Sequence, residues 1–144
     1  MLTIAKHSFG MGDRFAHQGH AQLSAITKAR AAGIDICPVW NKSNREHLLV
    51  GTRPDDLRAE ADAAVRAAGW TGAYHVDADH IGLATVDGFL AASDFFTIDV
   101  ADFTGRPASE DELAGLVRDM ARHGGKAHIP GLDAPLPLDA ATVR

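Results

Sequence analysis

Cysteine occurs once in this 144-residue chain, at Cys37. A single thiol cannot close an internal disulfide, and such sparing use suits a reducing compartment. Basic excess is missing too. Lys and Arg number 14 against 19 Asp and Glu, a net charge of −5, and no basic stripe interrupts the pattern. That argues against nucleic acid as a partner, because phosphate contacts need clustered cations. No apolar run approaches membrane length, and the first residues lack the pattern of a signal peptide. A cytoplasmic chain without a membrane partner is expected. A Gly-x-Ser-x-Gly elbow, a Walker loop and a cysteine pair are all absent, so serine-nucleophile and P-loop chemistry have no support. Gly10-Met11-Gly12 opens like a dinucleotide fingerprint, but its third glycine is replaced by Phe15.

What is present is an ordinary globular composition, 46% hydrophobic and 23% charged, with length for one domain. Short apolar runs alternate with amphipathic ones. Residues 3–9 read as a strand and Gly10–Arg14 as a loop. Residues 18–32 read as a helix stopped by Gly33, with Ala21, Leu23, Ile26 and Ala29 near one stripe. A second strand spans 35–40. Pro54 opens a helix through Ala68, and Gly69 ends it. A third strand spans 73–79, a short helix 84–92 and a fourth strand 95–100. Ser109 and Glu112 form a capping box for a helix through His123. Four strand-helix units imply an α/β fold with parallel strands. Two architectures fit: a small open doubly wound sheet, or about four units of a (β/α) TIM-type barrel, whose complete form needs roughly 200 residues or more. The expected organisation is residues 1–125 as the partial barrel. Residues 126–144 would be a loop or hairpin followed by the start of a helix capped by Asp139, either a frayed tail or a helix cut inside a larger fold.

The candidate chemistry centres on His75-Val76-Asp77-Ala78-Asp79-His80. Alternation puts His75, Asp77 and Asp79 on one strand face. Several ionisable groups on one face are costly to bury unless something pairs with them, and a divalent cation is a good candidate. Each residue alone has a plainer reading, Asp79 as a helix cap and His75 as a packed core histidine. In parallel α/β folds ligands gather at the carboxyl ends of strands. Carboxylate and imidazole suit Mn, Zn, Ni or Fe. His80 follows Asp79 directly, so both reach one ligand only where the strand has turned. Asp99 holds the equivalent place on the fourth strand, flanked by Asp94 and Asp102. It is either an acid–base or metal-side carboxylate, or a strand-end acceptor of loop N–H groups. The segment Asn41–His47 is polar. Lys42 or Arg45 could hold a carboxylate or phosphate, or the segment is a solvated loop. Asp13 and Arg14 could meet a sugar, and His17 and His20 more plausibly face solvent or a partner than a metal.

Taken together, SFGMGDRF at 8–15, PVWNKSNREH at 38–47, GTRPDDLRAEADAA with GW at 51–70, HVDADHI at 75–81 and SDFFTIDVADFTG at 93–105 resemble the tagaturonate/fructuronate epimerase family of bacterial hexuronate catabolism. The resemblance runs in order through residues 7–105. It implies a metal-dependent isomerase on a (β/α)-barrel that interconverts C4-epimeric keto-uronates, with this chain as the amino-terminal portion. C4 lies beta to the carbonyl of a 2-keto sugar acid, so enolisation at C3 cannot invert it. Metal-assisted retro-aldol cleavage of C3–C4 can. On that reading Asp79 and His80 ligate a divalent metal (Zn, Mn or Ni), and Asp77 or Asp99 transfers the proton. Asp13, Arg14, Asn41, Lys42, Arg45 and His75 contact the substrate. Further ligands on later strands would be missing, and unpaired strand edges would invite self-association. Two competitors stay open: a truncated or degenerate non-catalytic half-barrel, and a small Mg-binding receiver-like domain. The second is weakened because a Gly-rich loop, not an acidic pair, follows the first strand.

Overall fold

The computed structural model describes residues 4–122, 124–129, 132–137, 139 and 141. It divides into two compact units, Met1–Asp102 and Phe103–Arg144. The first unit is a four-stranded sheet with strands in sequential order, every pair parallel. Its elements are β1 (Ser8–Gly12), α1 (Gly19–Ala31), β2 (Cys37–Ser43), α2 (Asn44–Val50), α3 (Pro54–Ala68), β3 (His75–Ile81) and β4 (Phe95–Ile98). A parallel sheet alternating with helices is therefore observed. No closed barrel is formed by the described residues.

The core explains the arrangement. Leu23 and Ile26 of α1 and Leu57, Ala61 and Ala64 of α3 pack onto Met11, Trp40 and Val76 of the sheet. The spacing 57, 61, 64 is one helical stripe. Its two alanines are fully buried, and they leave room for the Trp40 indole, which meets Tyr74 edge-on at 6.0 Å. Such alternation commits Trp40, and with it Lys42, to the helix-covered face of β2. The opposite face carries Asn41 and Ser43 of β2, His75, Asp77 and Asp79 of β3, and Phe95 and Thr97 of β4. A smaller cluster of Ala78, Ile81 and Phe89 lies under the end of β3. Truncating Leu57, 3% exposed, would cost about 2–5 kcal/mol, the usual range for a buried leucine.

Several boundaries differ from the sequence reading, each for a local reason. The first strand runs over 8–12 rather than 3–9 (Thr3 lies outside the described residues). Gly10 and Gly12 belong to it because the Asn41 side chain lies across them. A Cβ at Gly12 would stand 3.2 Å from Asn41 Oδ1. The second and third strands begin two residues later than expected and run further, and the fourth ends at Ile98. The polar segment after β2, expected as loop, is instead the helix α2. Over 84–92 only a 3-10 turn forms, Val86–Gly88; Gly88 sits mid-run and favours the turn. The helix from Pro54 to the left-handed Gly69 is as expected.

In the second unit, α4 (Glu110–Ala121) carries the expected Ser109–Glu112 capping box. Its expected end at His123 lies outside the described residues. β5 (Lys126–Ala127) and β6 (Leu136–Pro137) make a short antiparallel pair. Asp139 Oδ1 accepts the Ala141 N–H at 3.1 Å, and the rest of the expected terminal helix lies mostly outside the described residues. No helix among the described residues is long and apolar enough to cross a membrane.

Candidate functional site

The end of β3 holds a bulge. Pairing with β4 runs Asp77 to Phe95 and Ala78 to Phe96, then jumps to Ile81 with Ile98, so β3 carries one extra residue. His80 absorbs it with φ 52°, left-handed backbone that a non-glycine residue adopts only at a cost. Regular alternation would send Asp79 and His80 to opposite faces. The bulge turns them toward each other, and His80 Nδ1 stands 2.9 Å from Asp79 Oδ1. The Asp79 carboxylate raises the imidazole pKa from its ordinary 6.5. This bond fixes the ring and leaves Nε2 as the outward-facing nitrogen.

Ser43, Arg45, His80 and Asp99 line one cleft of about 220 Å³. Three strands deliver them. Ser43 ends β2 and pairs in register with Asp79. Its side chain accepts from Glu46 N at 3.3 Å while Glu46 Oε2 accepts from Ser43 N at 3.1 Å, a capping box that starts α2. Arg45 lies in the first turn of that helix and makes no ion pair among the described residues. Asp99 follows β4. One of its oxygens accepts the Ala101 N–H at 3.0 Å, and among the described residues the other is open to a ligand. The sequence reading named Arg45, His80 and Asp99. It missed Ser43, although Ser-x-x-Glu at 43–46 is a readable cap signal.

The remaining candidates stand elsewhere. Asp77 is 3% exposed. Its oxygens accept from Thr97 N at 2.9 Å and Thr97 Oγ1 at 2.7 Å, tying β3 to β4. His75 is buried deeper along the strand beside Phe95, its Nδ1 3.7 Å from Asp94 Oδ1. Asn41 lies between them and β1, with Oδ1 buried and unpartnered among the described residues. Asp13 is occupied as a cap: it accepts from the backbone N–H of Phe15, His17 and Gln18. Arg14 pairs loosely with Glu46 at 3.8 Å. Lys42 is moved furthest from its expected place. It is 1% exposed on the helix-covered face, donating to Thr52 Oγ1 at 2.8 Å. A side chain so enclosed cannot reach a substrate in the cleft.

The donor chemistry fits one corner of a divalent-metal site. An imidazole nitrogen held outward by a carboxylate is the usual metal-binding form of histidine; Asp79 is that carboxylate, and Asp99 adds a hard oxygen in the same cleft. No group of three or more His, Cys, Asp or Glu side chains able to hold a metal forms among the described residues.

The family model of tagaturonate epimerase matches residues 1–123. The chain belongs to that family. Solved structures similar to it include three of the fructuronate-tagaturonate epimerase of Cohnella laeviribosi. The native form is 25% identical with a TM-score of 0.57. The forms with one and two glycerols are 24% and 22% identical, each with a TM-score of 0.54. Each match covers 95% of this chain and 30% of the other, so the chain spans about 30% of the length of those epimerases. No curated protein sequence matches it significantly.

Proposed function

We propose that this chain carries the substrate-contacting and metal-contacting corner of a C4 epimerase interconverting tagaturonate and fructuronate, within the first four units of a (β/α)-barrel. The observation that carries the reading is the convergence of Arg45, His80 and Asp99 at the carboxyl ends of three parallel strands, in a chain of this family. Four parallel strands in sequential order suit the first half of such a barrel.

Inverting C4 without a redox cofactor requires breaking C3–C4. Asp99, with one oxygen free, takes the C4 hydroxyl proton. The C3–C4 bond then cleaves, its electron pair moving onto C3 and into the C2 carbonyl, and C4 becomes an aldehyde. The aldehyde rotates, C3 attacks its other face, and Asp99 returns the proton to the C4 oxygen. Arg45 holds the substrate carboxylate through charge-assisted hydrogen bonds throughout. His80 Nε2 would be the donor for a divalent cation (Zn, Mn or Ni), with Asp79 holding the ring through Nδ1. Such a cation, when bound, supplies Lewis-acid stabilisation of charge on the C2 oxygen. Asp77 is given no proton to move, because Thr97 occupies both its oxygens.

Calorimetric titration of the chain with Mn, Zn and Ni, then with tagaturonate, tests the assignment, with circular dichroism confirming the fold. One-site metal binding abolished by His80→Ala is expected. Arg45→Ala should weaken keto-uronate binding roughly 10- to 100-fold, the scale of a lost charged hydrogen bond. A folded chain that binds neither metal nor keto-uronate overturns the assignment.

A further inference from the structure

Buried Lys42 and His47 and half-buried Thr52 form a polar group that the proposed chemistry does not use. Lys42 Nζ lies 2.8 Å from Thr52 Oγ1, and the same hydroxyl lies 3.0 Å from His47 Nδ1. Lys42 and His47 are 1% and 2% exposed, and Lys42 forms no ion pair among the described residues. We infer that these three are positioning residues: a hydrogen-bonded column that holds Arg45 and the Asp79–His80 bulge at a set separation across the cleft. The inference rests on that cleft being the active site.

The connections run to both walls. His47 is on α2, two residues after Arg45, and Thr52 N donates to His47 O at 3.0 Å, tying the column to the helix end. On its other side the His47 ring meets Phe89 at 5.7 Å. Phe89 packs with Ala78 and Ile81, the residues that bracket the bulge. A shift of His47 is thus felt at Arg45 through the helix and at His80 through Phe89, because close-packed interiors transmit displacement. Hydrogen-bond supply sets the direction of the column. An ammonium only donates, so Thr52 Oγ1 accepts from Lys42 and donates its own O–H to His47 Nδ1. His47 is then the Nε2–H tautomer, and one buried group, Nε2, is left unpartnered. The opposite tautomer would have Lys42 and His47 both donate to Thr52 Oγ1 and would give up the threonine O–H bond inside the column.

Nitrogen-15 spectra of the imidazoles and of the Arg45 Nε–H test this on the metal-free chain. His47 is expected to carry its proton on Nε2 and to lose that fixed tautomer in Thr52→Val. The Arg45 and His80 signals should shift in Thr52→Val and return in Thr52→Ser, a rescue that loss of general stability would not produce. Should Thr52→Val fail to fold, Lys42→Met is expected to give the same shifts. A wild-type His47 protonated on Nδ1, or Arg45 and His80 signals unmoved by the folded variants, overturns the inference. None of these readouts involves substrate. A failure of metal and keto-uronate binding with the column intact would therefore remove the active-site reading, not the column.

Discussion

Asp77 shows how a buried carboxylate is held in place by competing influences. Burial raises its pKa above the ordinary 3.8, while the two bonds from Thr97 pull it back down. The folded state therefore binds the Asp77 proton more readily than the unfolded state does. The Asp77 contribution to stability falls as pH rises from 3.8 through the higher folded value. Asp77→Asn should remove that slope in urea midpoints measured across the range. Thr97→Val leaves a buried oxygen without its donor and should cost about 1–3 kcal/mol at neutral pH. His47 is the opposite case. Burial first, then the nearby Lys42 charge, lower it from 6.5 to about 4. The unfolded chain binds the extra proton between those values, so stability rises with pH from about 4 to 6.5 and is lost on acidification. His47→Gln should flatten this part of the profile. A wild-type midpoint unchanged between those limits would sink the account of His47.

The element that matters most to the cleft is α2, seven residues long. A helix this short has little stability of its own, so its ends decide whether it forms. The reciprocal bonds of Ser43 and Glu46 supply the start. Ser43→Ala should cost about 1 kcal/mol, the usual value of a lost cap, and should shift the Arg45 resonances as the first turn frays. Equal stability with unmoved resonances would show that the column beneath is sufficient. At this scale the long helices were legible: α3 runs from its proline to its glycine, and α4 begins at its capping box. The segment at 84–92 was misread because its apolar residues suit a helix while Gly88 and the turn bonds around Gly82 and Thr85 suit a tight turn. Apart from the start of β4 at Phe95, strand limits slipped by two residues or more because β propensity marks a half-buried surface rather than a register.

For the whole molecule, the open sheet is the governing fact. β1 and β4 each pair on one side only among the described residues. Ile98 of β4 is 70% exposed. A free strand edge beside an exposed isoleucine is a template for another strand. Sedimentation should show association that grows with concentration, and Ile98→Lys should reduce it without changing the circular dichroism spectrum. Association unaltered by that substitution would place the contact elsewhere.

Residue order alone was enough for the alternating α/β pattern, the parallel sheet, the family and three of the four residues around the cleft. Those features follow from short-range physics: periodic apolar spacing, caps, and strand ends that carry polar groups. Which of the candidate residues share a site was decided by tertiary packing. Trp40 must enter the helix-side core, so Lys42 two residues on is buried with it. The one extra residue in β3 brings Asp79 and His80 together where simple alternation would part them. Thr97, 20 residues from its partner in the chain, takes up Asp77 through pairing of neighbouring strands. A one-residue change of register redirects every side chain beyond it, and that register is set by contacts between strands rather than within them.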